Sequence, residues 1–209
     1  MDRQHMNTII CTLSDAVQTY AYALQRIRYK KKITSNIAPQ QRGHKDTEWG
    51  YIPYNAGHIC TILINLSETY KHISEGRAKF LDIGCGMGNI IIIAKSVGLS
   101  VEGIERDKTT FRHATKIVGN IGKIHNANML TFKDYGKYDV LYYYVPIKDH
   151  VLMAKAANRI ASQMKIGAIM IPMGFGHPFE SSPMSFKTVP NIYAFEKIAE
   201  YKPKYIKED

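Results

Sequence analysis

The chain has 209 residues, 45% hydrophobic and 22% charged, which supports one α/β domain with a sizeable core and one extra element and excludes a disordered polymer. Lys and Arg outnumber Asp and Glu, 28 against 18, for a formal charge of +10; this suits an anionic partner such as nucleic acid, a membrane surface or an acidic protein face, although scattered basic residues serve solubility equally well. The cysteines, Cys11, Cys60 and Cys85, are odd in number and lack metal-ligand spacing, which argues against a disulfide framework or a metal site and for a reducing compartment.

No apolar run reaches the roughly 18 residues of a membrane span, and MDRQHMNTII lacks the apolar stretch of a secretory signal. The expected location is the cytoplasm. Ile9, Ile10, Leu13, Val17, Tyr20, Leu24 and Ile27 recur at helical spacing, followed by the cations of RIRYKKK (26–32) at the helix end. A polar, Pro- and Gly-containing connector (35–55) follows. Residues 1–55 are therefore expected to form an N-terminal helix and connector, and 56–209 the main domain.

Within that domain the segments alternate. AGHICTILINLSETYKHI reads as a helix and AKFLDIG as a buried strand. NIIIIAKSV reads as a helix despite its β-branched residues, because strand signals enclose it. Next come LSVEGIE as a strand, TTFRHATKIVGN as a helix and KIHNANM as a short strand. YDVLYYYV is a strand, DHVLMAKAANRIASQM a helix and KIGAIMIPM a strand. Such alternation implies right-handed crossovers and a mostly parallel sheet with helices on both faces. In 175–198 two short strand-like runs without an intervening helix suggest a closing antiparallel hairpin.

The turn after the first strand, LDIGCGMGN, carries glycines at 84, 86 and 88 with Asp82 two residues before the first. A Gly-rich strand–loop–helix turn aims backbone N–H groups at a ligand, beyond the carboxyl ends of the strands. The spacing is G-x-G-x-G, not the dinucleotide G-x-G-x-x-G, and no Gly-Lys-Ser/Thr follows for a triphosphate. About twenty residues on, Glu105 ends the next strand, where a carboxylate accepts hydrogen bonds from ribose hydroxyls.

LDIGCGMGN followed by VEGIE resembles the first two motifs of the class I S-adenosylmethionine-dependent methyltransferases, over roughly residues 56–200. The resemblance implies a Rossmann-like, mostly parallel seven-stranded sheet with a C-terminal antiparallel hairpin. It also implies S-adenosylmethionine as cofactor, with the methionine part cradled by Gly84, Gly86 and Gly88 beside Asp82 and the ribose held by Glu105. Cys85, Asn89 and Arg106 join the expected cofactor residues through their places in those motifs. The family's third motif, an acidic residue near the adenine, falls at Asn128, where an amide can still bond the adenine edge or simply form a turn. Met129 offers adenine a soft apolar surface or packs in the core.

Methyl transfer relies on positioning and a neutral nucleophile, so no acid/base dyad is obligatory. The fourth strand ends in YYYVPIKDH. Tyr142 and Tyr144 should face one way and Tyr143 the other. Tyr144 and Pro146, nearest the strand end, are the candidate catalytic residues; Asp149 caps the next helix, and His150 is a weaker candidate base. The Asn/Asp-Pro-Pro-aromatic signature of adenine and glutamine amide methylation is absent. WGYIPYN, with Tyr51, is either a lid over the cofactor or an aromatic loop on the core. Tyr51-Ile52-Pro53 before the domain and Val145-Pro146 after the fourth strand are similar to small protein lysine methyltransferases of the ATP synthase c-subunit type and their archaeal relatives. That resemblance implies N-methylation of a protein lysine. The rival readings are an RNA or DNA methyltransferase, a small-molecule methyltransferase and a non-catalytic cofactor-binding module. No metal ligand set is expected, and the oligomeric state is open.

Overall fold

The computed structural model describes residues 56–70, 78–174 and 177–203. The expected N-terminal helix, the basic stretch 26–32 and the connector with Tyr51 lie outside them. The chain opens with helix α1 (Ala56–Thr69), then β1 (Lys79–Ile83), α2 (Asn89–Ser96), β2 (Ser100–Glu105), α3 (Lys108–Val118) and β3 (Lys123–Asn126). A 3-10 turn at Tyr135–Lys137 leads into β4 (Val140–Tyr144), α4 (His150–Gln163) and β5 (Ile169–Met173). The short strands β6 (Phe186–Thr188) and β7 (Phe195–Lys197) complete it.

All seven strands form one sheet in the order β3-β2-β1-β4-β5-β7-β6. The first five are parallel, and β7 runs antiparallel to both β5 and β6. The order reverses between β1 and β4, where an open α/β sheet leaves a crevice at the carboxyl ends of its strands. The Rossmann-like sheet and the closing hairpin are therefore both as expected.

The central strands β4 and β5 are apolar along their whole length, and β1 is so between Lys79 and Asp82, because helices or loops cover both sides. On one face Phe80, Val101, Val140, Tyr142, Ile169 and Ile171 pack with residues of α1, α2 and α3. On the other, Leu81, Ile83, Ile104, Leu141, Tyr143 and Met170 meet the alanine-rich side of α4 and the aromatic rings of Phe179, Phe186, Phe195 and Tyr201. Tyr142 and Tyr144 accordingly pack on one side and Tyr143 on the other. The isoleucine run of α2 is helical because tertiary burial on two sides outweighs the modest cost of β-branching. Asp107 and Asp149 start α3 and α4 by accepting from the N–H groups of Thr110 (2.7 Å) and Leu152 (2.8 Å).

Three boundaries differ from the pattern reading. β3 stops at Asn126, because the Asn126 amide turns back to the carbonyls of Glu105 and Arg106 at the end of β2, both 2.9 Å. β5 begins only at Ile169, since Gly167 is in a left-handed turn and donates to the Lys197 carbonyl at 2.7 Å. β4 begins at Val140 because Asp139 accepts from the Lys79 N–H through its side chain and donates to the Lys79 carbonyl through its own N–H.

The carboxyl end of α4 is closed by a lysine from across the sheet. Lys197, 1% exposed, donates to the carbonyls of Met164 (2.6 Å) and Ser162 (3.2 Å) and lies 3.5 Å from Glu200. A cation at a helix carboxyl end satisfies orphan carbonyls and complements the dipole. Lys197→Met keeps the stem but strands those carbonyls, and is expected to destabilise the fold by about 2 kcal/mol. Chemical denaturation checks this: a midpoint equal to the parent's would remove Lys197 from the structural account.

Candidate functional site

The site is built where β1 and β2 end side by side. Their register pairs Asp82 with Gly103 and Ile83 with Ile104, and the N–H groups of Gly84 (2.9 Å) and Cys85 (3.0 Å) both donate to the Ile104 carbonyl. The loop then passes Gly84, Gly86 and Gly88, all in the left-handed region at φ +78°, +54° and +84°, before entering α2. A residue with a Cβ is strained in that region, which is why glycine occupies it. The amino end of α2 has Gly88 at its cap and no side-chain cap bond.

Two carboxylates converge on this loop. Glu105, at the end of β2, accepts from the Gly86 N–H through Oε2 (3.0 Å) and from the Asp107 N–H through Oε1 (2.8 Å), tying the loop to the start of α3. Asp82, at the end of β1, is 2% exposed, and its Oδ2 has no hydrogen-bond partner among the described residues. Burial first, and then the charge of Glu105, push the Asp82 carboxyl well above the ordinary carboxylate range. Asn89, the first residue of α2, also buries an amide oxygen with no partner among the described residues. Burial, with Asp82 and Glu105 adding to it, raises the Cys85 thiol, so Cys85 is a packing group and not a nucleophile.

Gly103 had no role in the sequence reading, yet the loop depends on it. A Cβ there would lie 2.6 Å from Ile91 Cδ1 and 3.0 Å from Cys85 Sγ. The signal was present: a glycine inside a buried strand marks a close approach of other groups.

The end of β4 comes against the same loop. A Cβ on Gly84 would sit 2.9 Å from Pro146 Cβ, so Pro146, a candidate catalytic residue, borders the glycine loop. Val145 makes this possible by adopting φ +37°, an outlier for a β-branched residue, held by its N–H to the Met173 carbonyl at 2.7 Å. Tyr144, half-buried at the last position of β4, packs beside the α1–α2 face. His150 lies exposed at the start of α4, beyond the Asp149 cap.

The third expected motif lies just past the end of β3. Asn128 lies two residues beyond β3, and its Oδ1 accepts from the Leu130 N–H at 2.9 Å, an Asx turn. Met129 is 7% exposed and packs in the α4-side core, its carbonyl accepting from the Tyr135 hydroxyl at 2.7 Å. The side chain of Asn128 thus forms the turn, and that of Met129 the core beneath it. Arg106 contributes its carbonyl to Asn126. Among the described residues no group of His, Cys, Asp or Glu could hold a metal ion, and no helix is long and apolar enough to cross a membrane.

What fits this loop is decided by charge. Phosphates are disfavoured by two carboxylates at the turn, since like charges at close range in a poorly hydrated site repel strongly. A ligand carrying positive charge is favoured, and the unpartnered Asp82 oxygen offers it an acceptor. S-adenosylmethionine, with its ammonium and sulfonium groups, meets both conditions, and Asp82, Glu105 and the loop N–H groups are the residues that would hold it.

No protein-family model matches the chain, and no curated protein does. Among solved structures it is similar to DesVI of Streptomyces venezuelae, at 15% identity and a TM-score of 0.45, over 56% of this chain and 51% of that one. It is also similar to CalS10, an amino pentose methyltransferase from Micromonospora echinaspora with S-adenosylmethionine bound, at 19% identity and a TM-score of 0.44, over 56% and 52% of the two chains. A third is PKMT2 of Rickettsia typhi in complex with AdoHcy, at 21% identity and a TM-score of 0.39, over 46% of this chain and 21% of that one. The chain spans about half the length of the first two. Its own strand order places the antiparallel β7 between β5 and β6.

The raised Asp82 carboxyl has a measurable consequence. Its proton is held more tightly in the folded state than in the unfolded chain, so its contribution to stability is complete below the ordinary carboxylate pKa and lost as pH rises through the folded value. Asp82→Asn, which cannot ionise, is expected to melt above the parent at about pH 8, with the gain disappearing near about pH 4. Melting temperatures recorded across that range test it; a variant less stable than the parent at high pH would contradict a strained buried carboxyl.

Proposed function

We propose that the chain is an S-adenosylmethionine-dependent methyltransferase that methylates an amine, with a protein lysine as the acceptor. The observation that carries the first part is the buried, unpartnered Asp82 oxygen beneath a left-handed glycine loop that Glu105 also faces. When bound, the cofactor supplies an electrophilic methyl group on a cationic sulfonium. The chain's own residues then position it. The loop N–H groups and Asp82 take the amino-acid end, and Glu105, held at the end of β2 against the Gly86 N–H, takes ribose hydroxyls. Pro146, against Gly84, and Tyr144 border the acceptor side.

The lysine reading is supported by the aromatic end of β4. A lysine attacks only as the neutral amine, and an aromatic, poorly hydrated surround lowers its pKa toward that form. The net charge of +10 supports a nucleic-acid acceptor instead, and the two readings separate by salt: phosphate contacts weaken steeply as ionic strength rises.

Two measurements test this reading. Gly86→Arg places a long side chain where φ is +54° and where the ligand approaches; calorimetry is expected to show S-adenosylmethionine binding in the parent and none in the variant. Equal affinity in both would remove the loop from the site. Incubation with methyl-labelled S-adenosylmethionine and cell extract is expected to leave label that survives nuclease and is lost with protease. Label lost with nuclease would overturn the lysine assignment.

A further inference from the structure

Val145 holds a conformation that its own side chain and its successor in the chain both oppose. It is β-branched, and residue 146 is a proline, which pushes the residue before it to extended backbone with φ near about −120°. Its observed φ is +37°. A glycine would adopt that φ without strain, so valine stands there for what its side chain touches.

The contacts run to two strands. On the β5 side, Val145 donates its N–H to the Met173 carbonyl at 2.7 Å. A Cβ on Gly174, the first residue beyond β5, would lie 3.1 Å from Val145 Cγ2 and 3.5 Å from its Cα. On the β1 side, a Cβ on Gly84 would lie 2.9 Å from Pro146 Cβ. Consecutive residues therefore rest on glycines at the exits of two different strands. β4 lies between β1 and β5, so those exits are roughly 10 Å apart. An extended Val145 would carry β4 straight on and take Pro146 off Gly84. The left-handed turn sets Pro146 on the loop while Tyr144 stays paired with Met173.

We infer that Val145 is a positioning residue, which couples the exit of β5 to the glycine loop and holds Pro146 in place for cofactor binding. The binding role rests on the methyltransferase reading above; the coupling does not. A strained residue keeps its conformation only where its surroundings over-determine it, and here Met173, Gly174 and Gly84 do so from two strands. Coupling between sites travels through such packed contacts. A shift at the β5 exit moves Val145, Val145 carries Pro146 with it, and Pro146 presses on Gly84.

The test uses the full chain, uniformly 15N-labelled and free of ligand. Gly174→Ala presses on Val145 from β5, and Val145→Ala removes the Cγ2 that the new methyl group would meet. Gly174→Ala is expected to displace the Gly84 and Gly86 amide resonances in the parent and to displace them no further in the Val145→Ala background. Amides left in place by Gly174→Ala, or displaced equally in both backgrounds, would overturn the coupling. Calorimetry with S-adenosylmethionine then reads the binding role. Val145→Ala is expected to weaken affinity about tenfold, and Val145→Ile, which keeps Cγ2, to retain the parent's. Full affinity in Val145→Ala, or an equal loss in Val145→Ile, would overturn that role. If the parent binds no S-adenosylmethionine, the methyltransferase reading fails, and the amide resonances still decide the coupling.

Discussion

Asp82 and Glu105 are delivered to one turn by adjacent parallel strands, and the burial of Asp82 there is the constraint around which the rest of the site is organised. Parallel register places Asp82 opposite Gly103 and Ile83 opposite Ile104, so both strands finish at the same level. Folding leaves a buried Asp82 oxygen without a partner among the described residues and next to a like charge. A sheet with helices or loops on both faces can hold such a group; a flexible loop would relax it into solvent.

The neighbouring peculiarities follow from the same close packing. Gly103 lacks a side chain because Ile91 and Cys85 occupy its space, and Gly84 lacks one because Pro146 does. Val145 takes a strained conformation so that the chain leaving β4 folds toward the loop. Each departs from a local preference, and all of them lie at the carboxyl ends of β1, β2 and β4. Strain gathered at one edge of the sheet is what a preorganised site requires.

Much of this was legible beforehand because it rests on local pattern. Strand–helix alternation, the alternating tyrosines of β4, the Asp149 cap and the glycine spacing depend on neighbours a few residues apart. The unread parts depend on distant partners. Asn126 ends β3 by bonding carbonyls of β2, about twenty residues back in the chain. Asn128 read equally as an adenine contact or a turn former, and its side-chain oxygen closes a turn on the Leu130 N–H. Lys197 looked like one cation among many, and only the fold brings it to the end of α4.

The central claim is that Asp82 is a strained carboxyl awaiting a cation. The direct measurement is the titration of its 13Cγ resonance, followed in the protein alone and with S-adenosylmethionine bound. The account predicts a midpoint well above the ordinary carboxylate range in the free protein and a clear fall when the ligand binds. A midpoint in the ordinary range, or one that the ligand does not move, would contradict it.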